Sequence, residues 1–201
     1  MAIEYEATFP SINKEQIRIK LKSLGADLIF TETLQKRINF YPLVEINGDS
    51  WVRVRDEGNI VTMSFKTVPD KTNNIEDQEE ICLKVDNFEE ARNFLLSLGC
   101  KEKSYQETKR EAWNLNNVEI TLNEWPFLKP FLEIESHSEG AVKKACELLG
   151  FNYQEALFCN VFYLYSEQYG IPIEELKNRI KGELSELTFS SENPFIKNKR
   201  F

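Results

Sequence analysis

The sequence predicts an α+β fold: an eight-stranded antiparallel closed β-barrel with a polar lumen, covered outside by amphipathic helices. Three observations lead there. Short alternating runs dominate the chain, hairpin-type turn signals separate them, and three amphipathic stretches end in the same Leu-Gly stop. The turns at Asn47-Gly48, Glu57-Gly58-Asn59 and Asn116-Asn117 are short, which favours antiparallel neighbours.

In chain order, the first run is Ile3–Phe9. A helix then opens at Asn13, with Gln16 three residues on, carries Ile17, Leu21 and Leu24 on one face, and stops at Gly25. Strands follow at Leu34–Tyr41, Trp51–Asp56, Ile60–Val68 and Glu80–Val85. Asp86 and Glu89 read as a capping box for a second helix whose buried stripe is Phe88, Ala91, Leu95 and Leu98, ended by Gly99. Tyr105–Trp113, Val118–Asn123 and Phe131–Ser136 complete the strands. Ser138 caps a third helix with the stripe Val142, Ala145 and Leu149 before Gly150. Beyond about Tyr165 the character changes. Pro172 starts a last helix through Ile173, Leu176 and Ile180, and Ser190–Phe201 reads as a polar, flexible end in which Lys197–Arg200 is solvated.

Composition bounds the function. The 201 residues hold 25 Lys+Arg against 33 Asp+Glu, a net charge of −8, which argues against general nucleic-acid binding because phosphates would be repelled. No apolar window reaches membrane-spanning length and the first residues lack a signal-peptide pattern, so the expectation is a cytoplasmic protein with no membrane partner, a monomer or a homodimer. Cys82, Cys100, Cys146 and Cys159 are widely spaced with no CxxC, and His137 is the single histidine. They read as reduced, mostly buried thiols rather than a zinc site, and His137 as a surface or capping residue.

Residues two apart on a strand share a face, so parity sorts the polar side chains. Glu4 and Glu6 oppose Ile3, Tyr5 and Ala7. Arg53 and Arg55 oppose Val52 and Val54, and Thr62, Ser64 and Lys66 oppose Val61, Met63 and Phe65. Gln78, Glu80, Cys82 and Lys84 oppose Ile81, Leu83 and Val85. Glu119, Thr121 and Asn123 oppose Val118, Ile120 and Leu122, while Glu133 and Glu135 oppose Leu132 and Ile134. The signs are segregated by strand, unlike the mixed charge of a face that only meets solvent. Carboxylates crowded in a lumen repel one another and raise their pKa values unless cations compensate them. Mg²⁺ or Mn²⁺ suits such oxygens, and the guanidinium forks of Arg53, Arg55 and Arg110, with Lys66, suit phosphate oxygens. Trp51, Trp113 and Trp125 read as packing residues, with base stacking as the alternative.

Taken in order, Glu4-Tyr5-Glu6, Trp51-Val52-Arg53-Val54-Arg55, Met63-Ser64-Phe65-Lys66, Lys109-Arg110 and Phe131-Leu132-Glu133-Ile134-Glu135 resemble the CYTH superfamily, the triphosphate tunnel metalloenzymes. The likeness covers about Met1 to Tyr165, with the aromatic run Phe162-Tyr163-Leu164-Tyr165. It implies a tunnel domain over residues 1–165, with 166–201 a C-terminal helix and polar tail packed on or extending from it. The ligand it implies is a small molecule containing a triphosphate. By carry-over, Glu4, Glu6, Glu133 and Glu135 would be ligands to Mg²⁺ or Mn²⁺. Arg53, Arg55, Lys66, Lys84 and Arg110 would hold phosphates, and Glu4, Glu6 and Lys66 are the candidate catalytic residues; Glu80 would also line the lumen.

The chain departs from the family pattern at three places. Thr8 stands where the family's ExExK opening has lysine, Gln78 where an arginine is usual, and Asn123 where an Asp is common. Two missing cationic contacts, each about 1.5–3 kcal/mol, would weaken triphosphate binding or mark a different substrate, unless Lys36, Arg37 or Lys84 compensates. The resulting expectation is a divalent-metal-dependent hydrolase of a triphosphate compound: inorganic triphosphate, thiamine triphosphate or a nucleotide. The alternatives are a class IV-type adenylate cyclase making cyclic AMP and pyrophosphate, and a non-catalytic binder of nucleotide or polyphosphate.

Overall fold

The computed structural model describes residues 5–43, 49–68, 79–159, 161–180 and 186–196. Glu4, Gln78 and Lys197–Arg200 lie outside the described residues. The elements run β1 (Tyr5–Phe9), α1 (Lys14–Ser23), β2 (Asp27–Tyr41), β3 (Asp49–Asp56), β4 (Val61–Val68), β5 (Glu79–Val85), α2 (Phe88–Ser97) and β6 (Lys101–Leu115). They continue through β7 (Val118–Glu124), β8 (Phe131–Ser136), α3 (Glu139–Leu149), α4 (Val161–Tyr169), α5 (Ile173–Ile180) and β9 (Glu186–Leu187). The fold is thus α+β. Among the described residues no helix is long and apolar enough to cross a membrane.

Strands pair in the order β1-β8-β7-β6-β2-β3-β4-β5, and the short β9 joins β6 in parallel. The sheet has nine strands rather than the eight expected, and no pairing among the described residues joins the two ends of this order, so closure of the expected barrel is not shown. At Thr8 the second edge of β1 carries an isolated bridge. Thr8 N–H donates to Leu157 O at 3.0 Å and Leu157 N–H donates back at 2.9 Å. Backbone groups already satisfied there have nothing left to offer another strand.

The chain divides into two compact units. The first comprises Met1–Thr33, Thr108–Leu176 and Phe195–Phe201, the second Leu34–Glu107 and Lys177–Pro194. In the first unit the apolar sides of β1, β6, β7 and β8 meet helices α1 and α3. Ala7, Phe9, Ile120, Leu122, Leu132 and Ile134 pack with Ile17, Leu21, Val142, Ala145 and Leu149. In the second, α2 lays Phe88, Ala91 and Leu95 against Ile38, Phe40 and Val54. Each such large side chain removed from water contributes about 1.5–3 kcal/mol.

The helix ends follow their local chemistry. Asn13 accepts from Gln16 N–H at 3.1 Å and Ser138 from Ala141 N–H at 3.3 Å, as expected of these caps. The second helix is capped one residue later than expected, by Asn87 accepting from Glu90 N–H, because Phe88 must begin the buried stripe. Leu98 is exposed rather than buried, since the helix ends before it and turns at Gly99. Gly25, Gly99 and Gly150 have φ of 73°, 97° and 89°, the left-handed region that stops a helix and favours glycine.

Residues 186–196 are more ordered than the polar composition of this region suggests. Phe195 is buried and stacks on Tyr165 and Tyr169 at centroid distances of 4.5 and 4.8 Å. Those tyrosines hold a turn: Tyr165 Oη donates to Pro126 O at 2.7 Å, and Tyr169 Oη to Phe127 O at 2.5 Å. Phe127 itself has φ of 64°, which a bulky residue adopts only when its surroundings enforce it.

Candidate functional site

In the first unit, the sheet register brings carboxylates together. Glu6 lies opposite Glu135, Thr8 opposite Glu133, and across the next ladder Glu135 meets Glu119 and Glu133 meets Thr121. Arg110 lies opposite Asn123 on the same face. Like charges set directly opposite one another destabilise a sheet unless something of opposite charge is shared between them.

A polar relay serves Glu133. Asn123 Nδ2 donates to Glu133 Oε2 at 2.8 Å, and Thr121 Oγ1 donates to the same oxygen at 3.3 Å. Arg110 Nη2 donates to Thr121 Oγ1 at 3.3 Å and stands 3.6 Å from Glu133 and 4.0 Å from Glu119. Its Nε is buried without a hydrogen-bond acceptor. A buried donor in that state costs about 1–3 kcal/mol and is a fitting place for an anionic oxygen.

Glu6 is open to solvent, yet its carboxyl is pushed up to about 7. Partial burial is the largest cause, followed by the carboxylates of Glu133 and Glu135, with Arg110 pulling in the opposite direction. Cys159 stands in the same field. Burial first, then Glu6 and Glu133, raises its thiol and makes it a poor nucleophile.

The donor set suits a hard divalent ion, since Glu6, Glu133 and Glu135 offer oxygens on adjoining strands and a cation would relieve the repulsion that raises Glu6. No trio of His, Cys, Asp or Glu among the described residues forms a ready-made cage. Asn123, where the family usually offers Asp, instead grips one oxygen of Glu133.

In the second unit, the opposite sign is concentrated. Arg37 lies directly opposite Arg55 and Asn39 opposite Arg53. Ser64 and Thr62 lie across from Arg53 and Arg55, and Lys84 lies across from Thr62. Lys66 is opposite Trp51 on one side and Glu80 on the other, with its Nζ 5.8 Å from the Trp51 ring centroid. Arg55 also meets Glu57 at 3.4 Å. The face is a cationic ladder that a polyanion would neutralise.

The expected residues therefore fall in two groups. The first unit carries Glu6, Glu133, Glu135 and Arg110, and the second carries Arg53, Arg55, Lys66 and Lys84. Trp113 is buried core, as expected, while His137 is exposed at the end of β8. The cysteines are free, but Cys82 is exposed, against the expectation of mostly buried thiols. Sequence reading did not single out the buried polar row Ser104, Gln106 and Thr108 on β6, of which Ser104 accepts from Asn39 at 3.0 Å. Extending the Arg110 parity backward along the strand would have found it.

Residues 2–157 match the family model of the CYTH domain. A solved protein from Pyrococcus horikoshii OT3 is 26% identical, with TM-score 0.59 over 81% of this chain and 99% of that one. A conserved hypothetical protein from Pyrococcus furiosus is 21% identical, with TM-score 0.60 over 81% and 99%. A Vibrio parahaemolyticus protein proposed to be an adenylate cyclase is 12% identical, with TM-score 0.60 over 81% and 97%. The last two likenesses speak to the fold alone. No curated protein matches the chain.

Proposed function

We propose, from the premise that this chain belongs to the CYTH-domain family, that it is a divalent-metal-dependent hydrolase of a triphosphate compound, with its binding domain over residues 1–165. One observation carries the reading. The chain sets like charges directly opposite one another twice with opposite sign, Glu6–Glu135–Glu119 and Arg37–Arg55. Like charges set directly opposite one another repel, and a ligand of the opposite sign would relieve each arrangement further.

In this reading Glu6, Glu133 and Glu135, with Glu4, hold Mg²⁺ or Mn²⁺ directly or through water. The bound ion supplies charge neutralisation at the phosphoanhydride. Arg53, Arg55, Lys66, Lys84 and Arg110 bind phosphate oxygens, the guanidinium groups two at a time. Lys66 would orient the phosphate under attack, and Glu6 would be one of the carboxylates holding the cation. Asn123 and Thr121 fix the orientation of Glu133.

The test is ³¹P NMR of the full chain with Mg²⁺ or Mn²⁺ and, separately, inorganic triphosphate, thiamine triphosphate and ATP. Orthophosphate release supports the hydrolase and ranks its substrates. Pyrophosphate with cyclic AMP from ATP would replace it with the cyclase, and binding without turnover in all three would replace it with a binder.

A further inference from the structure

We propose that the ligand is a nucleoside triphosphate whose base is read by the carboxamides of Gln35 and Gln106 in the second unit. The inference rests on the triphosphate reading above and adds to it the organic group that the cationic ladder leaves open.

The strand period sets the face. Ile38, Phe40 and Val54 pack against α2 with Tyr105 beside them. Gln35, Arg37 and Asn39 of β2, Ser104 and Gln106 of β6, and Arg53 and Arg55 of β3 therefore take the other face. These strands are neighbours in the order β6-β2-β3. Asn39 lies opposite Arg53, and its Nδ2 donates to Ser104 Oγ at 3.0 Å, which ties the three strands together on this face. Neighbouring strands stand about 4.8 Å apart, so Ser104 is about 10 Å across from Arg53. Over a span that a ribose can bridge, cations give way to neutral amides and hydroxyls.

Two of those amides are built in without an internal partner. Gln35 and Gln106 are 9% and 8% exposed, and among the described residues neither carboxamide is hydrogen-bonded. Most buried polar side chains have a partner, so one without it marks a place where a ligand's polar atoms fit. A glutamine carboxamide presents a donor beside an acceptor, the pair with which it reads the N6 and N7 edge of adenine in nucleic acids. Ionised inorganic triphosphate offers acceptors alone and would leave both carbonyls unpaired.

Calorimetric titration of the full chain in EDTA, where no turnover intervenes, compares ATP with ribose 5-triphosphate, thiamine triphosphate and inorganic triphosphate. The expected result is a preference for ATP of about tenfold or more, which Gln106→Met and Gln35→Met each reduce, while Arg53→Met weakens all four ligands together. The ratio between ligands is the readout, since a variant that only perturbs packing moves them alike. The comparison with ribose 5-triphosphate, which lacks the base, needs no variant and so holds where a glutamine variant misfolds. Ribose 5-triphosphate or inorganic triphosphate bound as tightly as ATP, a preference unchanged by both glutamine variants, or thiamine triphosphate preferred to ATP overturns the base subsite and leaves the triphosphate reading standing. Binding of none of the four overturns both.

Discussion

The Asn123 carboxamide, itself buried, donates to Glu133 Oε2 at 2.8 Å, so one oxygen of a central carboxylate is committed before any cation arrives. Asn123→Asp would exchange that donor for a second acid beside Glu133. The variant should lose about 1–3 kcal/mol of stability at pH 8 without metal and little at pH 5, where the added acid shares a proton. Thermal melts with and without Mg²⁺ check this, with a larger rescue by Mg²⁺ than in the parent protein.

Glu6 sets a pH dependence whose sign is fixed. Its carboxyl rises from 4.5 to about 7 on folding, so the folded chain binds the proton more tightly than the unfolded chain. The stabilisation is complete below about pH 4.5 and is lost as pH rises through about 7. Glu6→Gln should flatten this part of the profile and abolish metal-dependent turnover. Chemical denaturation across pH in metal-free buffer reads the first effect, and phosphate release with Mg²⁺ the second.

On the opposite face of β6, Glu111 is buried and held by Arg18 at 2.7–3.1 Å and by Trp113 Nε1 at 2.7 Å. Removing Arg18 leaves a buried carboxylate without its cation. Arg18→Met should cost about 3–5 kcal/mol in urea unfolding, and the double variant Arg18→Met, Glu111→Met should recover part of that loss. A double variant no more stable than the single one would show that Glu111 contributes packing rather than charge.

Gly150 ends α3 at φ 89° with open space where a Cβ would stand. Gly150→Ala should therefore cost about 1–2 kcal/mol through backbone strain alone, without a steric clash. A thermal melt compared with a helix-interior substitution on the exposed side of α3 separates the two causes.

Parity made much of the site legible. Placing Glu133 with Glu135, and Thr121 with Asn123, needed only the strand period, and the register confirms that these share a face with Arg110. The long strands were harder. Strand β6 starts at Lys101 rather than near Tyr105, and its charged, weakly strand-forming opening Lys101-Glu102-Lys103 looks like loop until its neighbour is known. Likewise β2 starts at Asp27, where the consecutive Leu28-Ile29-Phe30 hides the alternation. The bridge between Thr8 and Leu157 was not legible, because it joins distant residues with no local signature. Helix α4 was also missed, since its aromatic run reads equally well as a strand.

The stacking of Phe195 on Tyr165 and Tyr169 gives the chain a direction in time. The turn at Pro126-Phe127 joins the strands that carry Asn123 and Glu133, and its carbonyls are held by the two tyrosines that Phe195 covers. During synthesis the turn emerges first, its tyrosine latch later and the aromatic bolt last. The hairpin that presents these two side chains thus waits for a residue far downstream before its final packing can set.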